Sequence, residues 1–410
     1  MDQGLRNRSS RKYDIILWGA TGFTGSRTAH YMAKNAPKSL KWALGGRSEG
    51  KLNQVKSQVL ELDPSWESNL GIVTADSSNL NSLEQLVGQT KVVISTVGPY
   101  AQYGSLLVEA CARNGTDYCD ITGESFWVKK MIDQFHELAI ANNALIVNFC
   151  GFDSVPSDMG TFMMVDYIQN KYQKPTKSVK MTITKISGGI SGGTIHSAIN
   201  GGAERGAIKD VSDPYFLNPA EFRGPEKSYI PSVYYDLDFQ SWQGLFIMSP
   251  VNEKVVRRSN GVTANSYGKN FVYRETQTFS LIVAYLVTYS LILFGISISL
   301  APTRWLLKKI VPVQGEGPSD EQIKKGHFTA EFIAEVESDE KTQVRGQVHG
   351  SSDPGYSETC KYVAEAAITM ALNRSGCRSQ GGVLTPASAL GHAYLERLRA
   401  IPGAVFKVIE

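Results

Sequence analysis

The feature that most constrains this chain is a glycine-spaced turn lodged between a short apolar run and a helical pattern. Asp14-Ile-Ile-Leu-Trp18 reads as a buried strand, and Gly19-Ala20-Thr21-Gly22-Phe23-Thr24-Gly25 comes directly after it, opening a helix that runs to Asn35. A turn of this kind lets the backbone approach a pyrophosphate, while the helix N-terminus offers free N–H groups and a partial positive charge. The spacing departs from G-x-G-x-x-G by one residue before the middle glycine. A strand-to-helix turn with incidental glycines is the alternative, and the regular alternation of elements farther along the chain weighs against it.

Apolar runs alternate with helical patterns six times before residue 150. Strands are expected at 41–44, 70–73, 91–97, 117–121 and 145–149. Helices are expected at 49–62, 79–87, 105–114 and 126–142, with Leu52, Val55, Val59 and Leu62 at helical spacing in the first of them. Units of this length imply an α/β fold, a Rossmann-type doubly wound parallel sheet with helices on both faces. Beyond residue 153 the period changes. Val179, Met181 and Ile183 alternate with polar neighbours, as do Phe328 to Val336 and Gln343 to Val348, which predicts an antiparallel sheet covered on one face. The stretch 201–273 gives no clear pattern. Helices are expected again at 356–374 and after Thr385-Pro386. The chain therefore divides into a flexible tail over 1–12, a dinucleotide-binding domain over 13–155, an inserted α+β domain over 156–350, and helices over 351–410 that pack back on the first domain.

Size and charge support this division and narrow the partners. At 410 residues the chain exceeds what one core usually organises. The net charge of +3, from 42 basic and 39 acidic residues, is too small and scattered for a nucleic-acid footprint. Cys111, Cys119, Cys150, Cys360 and Cys377 form no C-x-x-C pair or His cluster, so neither a disulfide framework nor a metal site is expected. Residues 1–12 lack the apolar core of a secretory signal, which points to the cytosolic side of the cell.

A NAD-binding site places an acidic residue at the end of the second strand; this chain has Gly45-Gly46-Arg47-Ser48 there. A guanidinium at that point can make paired charge-assisted contacts to a 2′-phosphate, so NADP(H) is the expected cofactor. A merely solvated arginine is the competing reading. Asp76, past the third strand, is positioned to meet the adenine end. The loop Thr96-Val97-Gly98-Pro99-Tyr100, after the fourth strand, faces the glycine loop across the switch point and is expected to border the nicotinamide.

These motifs, together with Tyr118-Cys-Asp-Ile-Thr-Gly-Glu124, Gly151-Phe-Asp-Ser-Val-Pro-Ser-Asp158, Ser191-Gly-Gly-Thr194 and Gly382-Val-Leu-Thr-Pro-Ala387, resemble the saccharopine dehydrogenase-like oxidoreductases. That family also contains the trans-acting enoyl reductases of bacterial lipid and polyketide assembly. The resemblance extends from about residue 13 to 400. It implies NADPH-dependent reduction of an unsaturated or imine-type substrate. Saccharopine dehydrogenases proper recognise an amino-acid carboxylate with arginines of the second domain; here only Arg205, Arg223, Arg257 and Arg258 stand in that region, without a matching pattern.

Residues 276–303 carry no charge, and Phe279 to Ala301 is a 23-residue apolar run with Arg304, Trp305, Lys308 and Lys309 just beyond it. At ~1.5 Å per residue it reaches about 35 Å, enough for a bilayer core of ~30 Å. A single crossing would strand the later strands on the wrong side, so a hairpin or an interface-lying helix on the cytosolic face of a membrane or lipid droplet is expected. Animal relatives resemble lipid-droplet-associated proteins, which points the same way. A buried core helix or a homodimer-interface helix is the alternative.

Enoyl reduction needs hydride at the β-carbon, a hydrogen bond at the carbonyl and a proton at the α-carbon. Tyr100, Tyr103 and His196 are the candidates beside the cofactor, since no Ser-Tyr-x-x-x-Lys arrangement is present. Asp120, Glu124, Asp153 and Asp158 read instead as carboxylates that cap loop N–H groups. The expectation is a reductase acting on a hydrophobic acyl or polyketide-like substrate, free or carrier-protein-bound. An imine or amino-acid dehydrogenase and a non-catalytic nucleotide-sensing scaffold are the rivals.

Overall fold

The computed structural model describes residues 8–188, 213–229, 231–300, 302–303 and 325–409. Its first half is the expected alternation: β1 (Tyr13–Trp18), α1 (Phe23–Asn35), β2 (Trp42–Gly46), α2 (Glu49–Leu62), β3 (Leu70–Thr74), α3 (Leu80–Val87) and β4 (Thr90–Ser95). A single-turn α4 (Tyr100–Tyr103), α5 (Ser105–Asn114), β5 (Asp117–Asp120), α6 (Ser125–Ala141) and β6 (Leu145–Val147) complete it. Ile15 and Leu17 of β1 enter one core while Ile16 and Trp18 enter the other, the two-sided burial that makes a strand apolar at every position. The sheet has seven parallel strands, the last of which, β13 (Gly382–Leu384), arrives from near the C-terminus. Its order is β13, β6, β5, β4, β1, β2, β3.

A second sheet is built from β7 (Thr176–Ser187), β8 (Tyr234–Asp236), β9 (Ser241–Gly244), β10 (Val272–Phe279), β11 (His327–Val336), β12 (Gln343–Gly350) and β14 (Val405–Ile409). Its order is β14, β12, β11, β7, β10, β9, β8. It is antiparallel except where β10 runs parallel to β7, so the sheet is mixed. The helix α7 (Val155–Tyr172) lies on this sheet, α10 (Thr359–Leu372) lies on the first, and α11 (Pro386–Arg399) packs against both helices. One continuous apolar core joins Leu17 and Ile94 to Met163, Phe332, Val363 and Leu395.

Several expectations are corrected. Residues 8–12 are not a loose tail: Arg8 donates to the buried Asp117 at 2.6 Å, and Arg11 donates to Thr116 and the Thr90 carbonyl. The segment 351–410 is not helical throughout, since β13 enters the first sheet and β14 the second. The patternless stretch holds β8, β9 and α8 (Ser249–Val262), whose inward side chains include Asn252, Glu253, Arg257 and Arg258.

The uncharged run forms α9 (Leu281–Ser299), one unbroken helix rather than a hairpin. It is not a core helix. Among its described side chains only a narrow stripe through Ala284, Thr288 and Ile298 is buried, whereas Ile282, Leu286 and Leu293 are 72%, 63% and 64% exposed. Thr288 fastens it to β9 by accepting from Leu245 N at 2.9 Å.

Candidate active site

The turns after β1, β2 and β4 are knitted together by backbone bonds. Gly19 N and Ala20 N donate to the Gly45 carbonyl at 2.9 and 3.2 Å, and Thr96 N donates to Trp18 O at 3.0 Å. Glycine is obligatory at two points of the first turn. Gly19 has φ of +88°, and a Cβ there would lie 2.6 Å from Val97 Cγ2; a Cβ on Gly25 would lie 2.1 Å from the Gly19 carbonyl oxygen. The N-cap of α1 is Gly22, with no side chain bonded to the first-turn N–H groups. Those donors are presented to whatever occupies the space in front of them.

That space is a cleft of about 380 Å³. Of the residues anticipated, Gly19, Thr21, Gly22 and Arg47 line it on one side and Thr96, Val97, Gly98 and Tyr103 on the other. The rest are placed differently. Ala20 and Gly25 are buried behind the turn. Phe23 packs edge-on against Tyr356 at 4.8 Å, and the Thr24 carbonyl accepts from Thr28 and Cys360. Ser48 is the exposed N-cap of α2, and Pro99 is buried. Asp76 stands exposed at the rim with its carboxylate taken by Ser78 N and Oγ, whose hydrogen bonds hold its pKa below the ordinary value, with a smaller contribution from Arg47. Its neighbour Ser77 lines the cleft in its place, as does Trp18, neither of which the motif reading assigned to the cofactor, and Gly46 of the Gly45-Gly46-Arg47-Ser48 motif lines it too. Position one residue from a recognised motif was the only signal for Ser77 and Trp18. His196 lies outside the described residues.

Tyr100 must be reassigned. Its ring is buried against Trp127 at 5.4 Å, and its hydroxyl donates to Ser95 O at 2.9 Å. Burial pushes its pKa well above the ordinary value. A hydroxyl so committed is a packing and bridging group, not a proton donor to the cleft. Tyr103, one turn later, is 47% exposed and borders the cleft.

The acidic residues separate into two kinds. Glu124 accepts from Tyr100 N and Ala101 N, both at 2.9 Å, and so holds the cofactor-side loop in place. Asp120 accepts from Thr122 N, Phe149 N, Asn148 and Tyr118, and Asp158 accepts from Ala387 N at 2.8 Å and from Ser259. These three cap loops as expected. Asp153 does not: in the turn between β6 and α7 it is half-buried and makes no hydrogen bond or ion pair among the described residues. Burial alone pushes its carboxyl up to about 6.

A turn that excludes side chains where a pyrophosphate would lie, uncapped helix N–H groups and an arginine at the rim fit a phosphorylated dinucleotide. Fold and site together define an oxidoreductase with a Rossmann-type nucleotide domain. Residues 15–147 match the family model described as the saccharopine dehydrogenase NADP binding domain, so the nucleotide is NADP(H). A Mycobacterium tuberculosis relative, provisionally named a trans-acting enoyl reductase, is 36% identical over 414 residues, covering 95% of this chain and 96% of the relative. A Mycobacterium leprae protein named trans-acting enoyl reductase is 32% identical over 409 residues, with the same shares covered. The solved saccharopine dehydrogenase (L-Glu forming) of Saccharomyces cerevisiae aligns with a TM-score of 0.54 at 12% identity, over 97% of this chain and 99% of that one, and shares the fold. The chain belongs to the saccharopine dehydrogenase-like NADP-dependent oxidoreductases, the family that includes these relatives named trans-acting enoyl reductases.

Proposed function

We propose that this enzyme reduces a carbon–carbon double bond in an acyl or polyketide-type thioester, presented on a carrier protein at a lipid surface. The observation that carries the reading is full-length similarity to relatives named trans-acting enoyl reductases, on a chain whose cleft suits NADP(H). When bound, the reduced nicotinamide supplies a hydride to the substrate. Within the chain, Gly19, Thr21 and Gly22 with the α1 N-terminus hold the pyrophosphate, and Arg47 holds the 2′-phosphate. Thr96, Val97 and Gly98 border the nicotinamide. Tyr103, with a free-standing position at the mouth, offers a hydroxyl to polarise the thioester carbonyl.

Of the arginines noted in the second domain, Arg205 lies outside the described residues, and the other three speak against amino-acid recognition. Arg257 is spent on Glu226 and Glu253, Arg258 on the carbonyls of Leu217 and Val383, and Arg223 on Asp213. None of these three is left to grip a substrate carboxylate.

A lipid surface is supported by α9, which is apolar on all sides yet mostly exposed, a condition that water penalises. The strands on either side of it, β10 and β11, both pair with β7, so the chain returns to the side it left. In this reading the helix embeds in lipid from one face. Long acyl substrates then pass laterally into the site, avoiding ~0.8 kcal/mol per methylene exposed to water. NADPH oxidation measured against enoyl thioesters of increasing chain length tests the reaction: turnover rising with length supports it, and reduction of NADP⁺ by saccharopine or an amino acid instead, with no turnover of any enoyl thioester, overturns it.

A further inference from the structure

Strand β1 ends on Trp18, directly before the glycine turn, and the indole of this residue is packed like a core ring. It is 2% exposed, yet it borders the cofactor cleft. A Cβ on Gly45 would lie 3.1 Å from Trp18 Cε3, so the benzo edge of the ring rests on the end of β2, where only glycine leaves it room. The nitrogen lies on the opposite edge of an indole. Other tryptophans spend that group inside the protein: Trp66 donates to Ala33 O at 2.8 Å and Trp127 to the Ser105 hydroxyl at 3.0 Å. Nε1 of Trp42 is unpaired and sealed in the core. Nε1 of Trp18 also meets no acceptor among the described residues, but it is not sealed in, and so it opens on the cleft that the ring borders.

An indole N–H taken out of water normally finds a partner, because leaving it unpaired is costly. Held rigidly by the strand and open to a ligand cleft, this one is a donor placed for an acceptor on the ligand. Its position says which part of the ligand. Trp18 is paired with Gly45 across the β1–β2 ladder, and Arg47, two residues beyond Gly45, faces the 2′-phosphate. That phosphate is carried by the adenosine ribose. Ser77, in the turn after β3, borders the same side. The glycine turn takes the pyrophosphate and the Thr96–Gly98 loop the nicotinamide, so the adenosine half lies over Trp18.

We propose that Trp18 is a cofactor-positioning residue, its ring forming the floor under the adenosine half of NADP(H) and its indole N–H donating to an oxygen or ring nitrogen of that half. This rests on the nucleotide assignment and not on the enoyl reductase reading, so it holds for whatever bond the nicotinamide reduces. NADPH and NADH share every acceptor within reach except the 2′-phosphate. Trp18 therefore adds affinity for both, and selection between them stays with Arg47.

The test compares the full chain with its Trp18→Phe variant, which keeps an aromatic ring and loses the N–H. The probes are adenosine 2′,5′-bisphosphate, NADPH and NADH. By calorimetry, Kd for all three should rise by about three- to tenfold, and by a similar factor. Adenosine 2′,5′-bisphosphate has no nicotinamide to receive excitation energy, so quenching of tryptophan emission on its binding reports contact at the adenosine end. Wild type should show that quenching and Trp18→Phe should lose it while still binding the ligand. Unchanged Kd for every probe, or quenching that survives in Trp18→Phe, overturns the proposal. A loss confined to NADPH also overturns it, since the residue would then act on the 2′-phosphate alone. Where Trp18→Phe does not fold, the indole N–H proton resonances of wild type carry the test: one should shift with adenosine 2′,5′-bisphosphate, and no shift overturns the contact. Wild type that binds neither NADPH nor adenosine 2′,5′-bisphosphate overturns the nucleotide site and this residue's role with it.

Discussion

Replacing Arg47 by Ala isolates the extra phosphate of the cofactor. The side chain is exposed at the rim of the cleft, beside Gly46, and its removal opens no cavity in the core. A hydrogen bond to a charged group contributes about 1.5–3 kcal/mol when well sheltered, and two are available from one guanidinium fork. Exposure and salt screening reduce that sum, so about 2 kcal/mol is the reasoned loss, or roughly 30-fold in Kd for NADPH. NADH carries no 2′-phosphate, and its Kd should move by less than about twofold by the same reasoning. The wild-type preference should also shrink as ionic strength rises. Fluorescence titration of both nucleotides at two salt concentrations reads all of this, with thermal melting to confirm that the variant folds. A parallel loss for NADH and NADPH, or no loss for either, would refute the placement of the phosphate at Arg47.

Tyr100→Phe removes a buried hydroxyl that bridges Ser95 and Ile121, so stability should drop by about 1 kcal/mol, with kcat nearly unchanged; thermal melts and NADPH oxidation rates check the two halves. Asp substitutions at Leu286 and Leu293, both outward on α9, should release the protein from liposomes in a flotation assay while NADPH affinity holds. Asp120, Asp158 and Glu275 are each pushed up to about 7, burial outweighing the hydrogen bonds that favour their ionised forms. Unfolded, such groups titrate near ~4, so the native state holds more protons between these values. Their contribution is fully present below the unfolded pKa and is lost as pH rises through about 7. Melting temperature should therefore fall between roughly pH 5 and 7.5, and Asp158→Asn should flatten the fall; a rise across that window contradicts the burial assignment.

The nucleotide-binding half was legible because its strands are buried on both faces and its helices on one, so periodicity reports them directly. What stayed hidden has physical reasons. β13 is three residues long, too short for any period to register, and its place beside β6 comes from chain return alone. α8 turns Asn252, Glu253, Arg257 and Arg258 inward, where they satisfy one another and nearby carbonyls, so hydrophobic spacing misreads it as a loop. Tyr100 and Tyr103 are equivalent by position in the loop; only the single turn of α4 sends one inward and the other to the cleft. Likewise, four acidic residues in similar motifs look alike until hydrogen bonds are traced, and only then does Asp153 separate from Asp120, Glu124 and Asp158. The second sheet was anticipated from three alternating strands, and its parallel β7–β10 pair could not be, because alternation is blind to strand direction.

Hydride transfer to an activated double bond, from NADPH held in the cleft between the β1 and β4 turns, is the step on which the proposed chemistry depends. Reduction of a long-chain enoyl thioester with NADPH deuterated at the transferred position, with mass spectrometry of the product, tests it most directly. One deuterium at the β-carbon is the predicted result; NADPH that binds but leaves every enoyl thioester unlabelled would contradict it.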